Sequence, residues 1–126
     1  MEFQELNVYI VAYYKEKLLL MKRHDGIWEF PGGGVDWGEN PEISASREFR
    51  EETGMTPKDM TLLGITSATY KKRDDDKHSV YIVYRTTVES DKVIISREHS
   101  EARWLLPNEM KYMKLGLNAE PVLEMI

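Results

Sequence analysis

Three glutamates, Glu48, Glu51 and Glu52, stand close together in the stretch GGGVDWGENPEISASREFREETGM, which runs from Gly32 to Met55. At about 100° per residue they fall on one stripe of a helix. Like charges at that spacing repel, so the helix needs something to disperse them. One reading is a solvated acidic face. The other is a ligand stripe for a hard divalent cation such as Mg2+, which prefers carboxylate oxygens and keeps some of its waters for a phosphate. Arg47, four residues before Glu51, is spaced to pair with that carboxylate.

The helix that carries these acids has clear ends. Asn40 suits the N-cap and Pro41 the first helical position. Gly54 stands where a left-handed C-terminal cap is expected, with Pro57 soon after. The spacing therefore predicts a helix from Pro41 to Thr53. Ala45, Ser46, Phe49 and Thr53 form its packing side. Before it, Leu6 to Tyr14 and Leu18 to Lys22 read as strands turned by Lys15-Glu16-Lys17 and followed by a glycine-rich loop. After it, Met60 to Tyr70, Val80 to Val88 and Ala102 to Leu106 read as strands, with Lys71 to Lys77 a polar turn between the first two. Pro107-Asn108-Glu109 looks like a helix start, and a last helix is expected after Pro121. Strands with two or three interspersed helices predict one mixed α/β (α+β) domain over residues 1–126, built in layers.

Composition narrows the function. A chain of 126 residues that is 41% hydrophobic and 31% charged can bury a core as one globular domain. It has no cysteine, which excludes disulfides, thiolate metal sites and cysteine nucleophiles. No apolar run is long enough to span a membrane, and acids precede the first apolar stretch, unlike a secretion signal. A cytoplasmic protein is expected. The net charge of −5 argues against a broad nucleic-acid surface. A polyanionic substrate would then need a cation or a few placed Lys and Arg.

Gly33, five residues, Glu39, seven residues, then Arg47-Glu48-Phe49-Arg50-Glu51-Glu52-Thr53-Gly54-Met55 resembles the signature of the Nudix hydrolases at every specified position. Trp28-Glu29-Phe30-Pro31-Gly32-Gly33 resembles the approach to that box in the MutT-type nucleoside triphosphate pyrophosphohydrolases, as do the shorter stretches Asp76-Lys77-His78 and Glu120-Pro121-Val122. The resemblance implies a Nudix fold, a mixed sheet between helices. It implies Mg2+- or Mn2+-dependent hydrolysis of a nucleoside diphosphate linked to another group. By position it makes Glu48, Glu51 and Glu52 metal ligands, one of them also orienting the attacking water. Gly33, Glu39, Arg47 and Gly54 become structural members of the box. The expected substrate is a normal or oxidised nucleoside triphosphate, giving monophosphate and pyrophosphate.

Other residues extend the expected site. Glu98 and Glu101 are candidate acids outside the box, as general base or further ligand, and Glu101, nearer the strand, is preferred. Arg23 is a candidate phosphate contact. Trp28, Phe30 and Tyr81 are candidates to stack on a base. Asn118 is a candidate base reader, although the family places that asparagine directly before Glu-Pro-Val, where Ala119 stands here. ADP-ribose and dinucleoside polyphosphates are the alternative substrates. The absence of proline from Thr61 to Val80 speaks against the first, and Tyr70 keeps the second open. A non-catalytic nucleotide sensor is the alternative from another class, and the intact box argues against it. A monomer or homodimer is expected.

Overall fold

A computed structural model describes residues 1–126. Seven strands and one α-helix follow the chain: β1 (Glu2–Tyr14), β2 (Lys17–Arg23), β3 (Trp28–Glu29), β4 (Gly32–Gly34), α1 (Pro41–Thr53), β5 (Lys58–Lys72), β6 (Asp75–Thr87) and β7 (His99–Leu105). They form one mixed sheet with the central order β3-β2-β1-β6-β5. Only β1 and β6 run parallel, from Glu2 opposite Asp76 to Tyr13 opposite Thr87.

The other edge of β1 is shared. Its end pairs with β2 through Tyr13 and Tyr14, and its middle pairs with β4, Val8 lying opposite Gly33. The chain crosses from one partner to the other at Pro31, whose carbonyl accepts the Ile10 N–H at 2.9 Å. This crossing brings the glycines of β4 under α1.

Both faces of the sheet are apolar at its centre. Leu18 to Met21 are all fully buried, two side chains to each face. On one face Val8, Ile10, Leu19 and Met21 pack against Ala45 and Phe49 of α1. On the other, Val11, Leu18, Leu20, Phe30 and Val83 pack under Met110 and Val122. Each fully buried Leu or Phe contributes on the order of 2–3 kcal/mol.

The caps of α1 are as its sequence predicts. Asn40 is extended at φ −69° and ψ 138°, and its Oδ1 accepts the Glu42 N–H at 3.0 Å. Gly54 is left-handed at φ +74° and returns its N–H to Arg50 O. Helical backbone also starts at Pro107, and again near Pro121, but each is a short 3₁₀ helix, Pro107–Tyr112 and Glu120–Glu124. Each buries only one side chain, Met110 or Val122, too little apolar face to extend an α-helix. The second layer of the sandwich is therefore made of short 3₁₀ helices rather than α-helices.

The expected Lys71 to Lys77 turn shrinks to Arg73-Asp74 between Lys72 and Asp75. Opposite charges hold the extended ends, with Lys71 Nζ 3.0 Å from Asp76 Oδ1 directly across the ladder. The expected glycine loop holds β3 and β4, which glycine's poor strand propensity conceals. β7 starts three residues earlier than expected because His99 pairs with Arg23 of β2. No helix is long and apolar enough to cross a membrane.

Asn40→Ala removes one N-terminal hydrogen bond of α1 and is expected to lower stability by about 1 kcal/mol. Urea unfolding checks it; a loss near zero would mean that the Asn40 bond adds nothing over water.

Candidate active site

The helix does not present its three glutamates alike. Phe49 must face the sheet, and Glu52 follows it three residues later on nearly the same side. Glu52 is 2% exposed, whereas Glu51 keeps 59% of its side chain in water. Glu48 lies between these extremes. The packing side consists of Ser44, Ala45, Phe49, Glu52 and Thr53, so Glu52 takes a buried place and Ser46 does not.

Glu52 is buried among specific partners. Its Oε1 accepts the Gly32 N–H at 2.9 Å, and its Oε2 lies 3.3 Å from His99 Nδ1. Burial pushes its carboxyl up to about 9, and the charges of Glu48, Glu98 and Glu29 add to that. Burial also raises Glu48, against the pull of Arg47. A side chain at Gly33 would put its Cβ 2.7 Å from the Glu48 carboxyl carbon, so the glycine makes room for that acid.

Arg47 is the cation of the site. Its Nε and Nη2 grip Glu39 at 3.1 and 3.0 Å. Nη1 reaches Glu48 at 3.1 Å and Glu51 at 3.5 Å, and Nη2 reaches Asp36 at 3.2 Å. These acids raise the Arg47 pKa further. Glu39 moves the other way, down to about 2, through hydrogen bonds from Arg47 and from the Ser44 hydroxyl.

The donor set suits a hard cation. Its oxygens are all carboxylate, and two of the acids are charged only at a cost that a cation would offset. As they stand, no three acidic or histidine side chains converge in metal-ligating geometry. Glu48 and Glu51 lean on Arg47, while Glu52 leans on Gly32.

Outside the helix, Glu98 lies near enough for its charge to raise both Glu48 and Glu52. Glu101 is drawn away. Its Oε2 accepts from Arg103 at 2.7 Å, and the Arg103 guanidinium covers the Trp28 ring at 5.0 Å. β7 thus sends the expected Glu101 carboxylate to Arg103 and the side of Trp28 rather than towards α1.

A cleft of about 430 Å³, lined by Tyr9, Arg23, Glu29, Tyr70, Tyr81 and Asn118 among others, connects to these acids through Glu29, whose Oε2 meets His99 next to Glu52. Tyr81 meets Tyr9 edge to face at 5.6 Å. Asn118 Oδ1 is buried without a hydrogen-bond partner, while Nδ2 is 3.4 Å from Glu29 Oε1. Ala119, its neighbour, is fully buried in the core, so the amide that faces the cleft is that of residue 118. Arg23 bonds Asp25 at 2.5 Å and keeps 42% of its side chain exposed.

Phe30 does not line the cleft. It is fully buried in the core, because Pro31 turns the chain inward towards β1. Trp28 is likewise 5% exposed and covered by Arg103. Neither ring is free to stack on a base.

Residues 4–125 match the NUDIX domain. The chain belongs to the Nudix domain family. A curated relative from Methanocaldococcus jannaschii, named ADP-ribose pyrophosphatase, is 33% identical over 112 residues, covering 86% of this chain and 64% of that protein. A mouse relative, named bis(5'-nucleosyl)-tetraphosphatase (asymmetrical), is 36% identical over 93 residues, 71% of this chain and 63% of its own. The chain spans less than two thirds of the length of the curated relatives it matches. Among solved structures, a MutT NUDIX hydrolase from Burkholderia pseudomallei superposes with a TM-score of 0.88 at 25% identity over 98% of each chain. This Nudix domain thus has the fold of MutT structures around its own set of acids.

Two members of the site, His99 and Glu29, escape sequence reasoning. His99 forms no ligand spacing with His24 or His78, and Glu29 shows only as one letter of the approach to the box. Their meeting depends on the pairing of β7 with β2.

The depressed Glu39 stabilises the fold fully above its ordinary value of 4.5, and that stability is lost as the pH falls through about 2. Glu39→Gln is expected to be less stable at neutral pH, with a deficit that shrinks between pH 4.5 and 2. Unfolding measured across that window checks it, and a deficit independent of pH contradicts it.

Proposed function

We propose that this Nudix domain hydrolyses a phosphoanhydride in a nucleoside diphosphate joined to a further group, using Mg2+ or Mn2+. A nucleoside triphosphate is the preferred substrate, leaving monophosphate and pyrophosphate. The observation that carries this reading is the link between the intact glutamate box and a polar, tyrosine-lined cleft holding Asn118 and Arg23, made by His99, which meets Glu52 on one side and the cleft-lining Glu29 on the other.

Glu48, Glu51 and Glu52 are the residues that would hold the cation. When bound, it neutralises phosphate charge and lowers the pKa of water. The chain's own part is positioning. Gly32 fixes Glu52 through its N–H, and Arg47 holds Glu48 and Glu51 in reserve. Glu98, whose charge acts on both Glu48 and Glu52, is our candidate to take a proton from water. In the cleft, Asn118 and Tyr81 offer a polar and an aromatic wall to a base, and Arg23 a charge for phosphate.

A dinucleoside polyphosphate is the second reading. It is favoured by Tyr70, whose ring lines the same cleft and whose hydroxyl lies 3.4 Å from Ser79 Oγ. The mouse relative's name points the same way. Incubation with Mg2+ and a panel of normal and oxidised nucleoside triphosphates, ADP-ribose and diadenosine polyphosphates separates the readings. Monophosphate plus pyrophosphate supports the first. Cleavage of a dinucleotide alone moves the substrate to the second. Binding without turnover under Mg2+ and Mn2+ overturns both.

Glu52→Gln is expected to stay folded and to lose roughly 10²-fold or more in turnover. Without metal it is expected to melt higher than the unmodified protein at neutral pH. A carboxyl raised from 4.5 to about 9 gives its full stability below 4.5 and loses it as the pH rises towards 9. The gap in melting temperature should therefore vanish below pH 4.5. Near-normal turnover in the folded variant would remove Glu52 from the mechanism.

A further inference from the structure

The proposed reaction uses the acids of α1 and the cleft beside them, but not the histidine between. The His99 side chain is 1% exposed. Its Nε2 makes an aligned contact with Glu29 Oε2 at 2.9 Å. Its Nδ1 lies 3.3 Å from Glu52 Oε2 and has no aligned hydrogen-bond partner. The ring thus has one firm contact and one loose one, and Glu29 decides how it is turned.

The two carboxylates use their second oxygens differently. Glu52 Oε1 is tied to backbone through Gly32. Glu29 Oε1 faces Asn118 Nδ2 at 3.4 Å and Arg23 Nη1 at 3.9 Å. Of the three groups, Glu29 alone lines the cleft. Four separate pieces of chain therefore meet in one row: α1 through Glu52, β7 through His99, β3 through Glu29, and the C-terminal segment through Asn118.

We infer that His99 is a positioning residue that couples the nucleoside cleft to the cation-binding acids of α1. The inference rests on the metal reading above. A carboxylate is rigid, so a ligand that draws on Glu29 Oε1 moves Oε2 with it. An imidazole is rigid too, so a turn at Nε2 is a displacement at Nδ1, beside Glu52. Groups that hold a metal ligand from behind typically change metal affinity by about 10-fold or more. The coupling is reciprocal: a cation drawing on Glu52 also resets Glu29.

The test is a double-mutant cycle read by Mn2+ binding, with free Mn2+ followed by electron paramagnetic resonance. Glu29→Gln keeps the shape of the side chain and leaves the acids of α1 untouched. His99→Leu removes both ring nitrogens, and His99→Gln, which can hold one carboxylate but not both, completes the cycle should the leucine variant fail to fold. Glu29→Gln is expected to change the Mn2+ dissociation constant by about threefold or more when His99 is present, and by much less in the His99 variant. Equal effects in both backgrounds, or none in either, overturn the inference while leaving the metal reading in place. Failure of the unmodified protein to bind Mn2+ overturns the metal reading and the inference with it.

Discussion

The helix that buries Phe49 and Ala45 against the sheet carries the Glu52 carboxylate out of water with them. A carboxylate in that position needs hydrogen bonds and is hard to ionise. The first need shapes β4. Gly32 comes close enough to give Glu52 its N–H only because it has no side chain; a Cβ there would lie 2.0 Å from Val8 O on β1. The second need falls on what the acid would bind, since a cation held by Glu52 would favour its charged form. The glycine strand, the register of α1 and the early start of β7 are thus parts of one constraint.

Arg47 governs the opposite, wetter side of the same helix. One guanidinium faces Asp36, Glu39, Glu48 and Glu51, gripping Glu39 with two nitrogens. The result is three glutamates of one motif in three electrostatic states. Glu39 is held well below the usual carboxylate range, Glu48 is raised by burial, and Glu52 is raised furthest. Glu39 stays ionised and anchors the loop before α1. The raised acids are the ones with most to gain from a cation.

The sheet joins these acids to the cleft. Because β1 gives one edge to both β2 and β4, the chain must cross at Pro31, which drops Phe30 into the core and leaves Glu29 at the cleft. The parallel pairing of β1 with β6 sets Tyr9 against Tyr81 on the wall of that cleft. The acids of α1 and the cleft are separated by little more than His99.

Much of this was legible in local sequence. The bounds and both caps of α1 follow from Asn40, Pro41 and Gly54, because capping depends on neighbours along the chain. The central strands follow from runs such as Leu18 to Met21, and the expected chemistry from the resemblance of the box to the Nudix signature. The inward turn of Glu52 was not legible, since a stripe angle does not say which side of a helix faces the sheet. Nor was the pairing of Glu101 with Arg103, which hangs on how β7 lies against β2. The burial of Phe30 depends on a crossing between strand edges, and the row from Glu52 through His99 to Glu29 on contacts between residues 47 and 70 positions apart. Sequence alone therefore determined the helix, the strands and the identity of the acids, because propensity, capping and side-chain chemistry act over a few residues. Only tertiary structure decided which acid is buried and which histidine stands behind it, because desolvation and long-range register exist only once the sheet has closed.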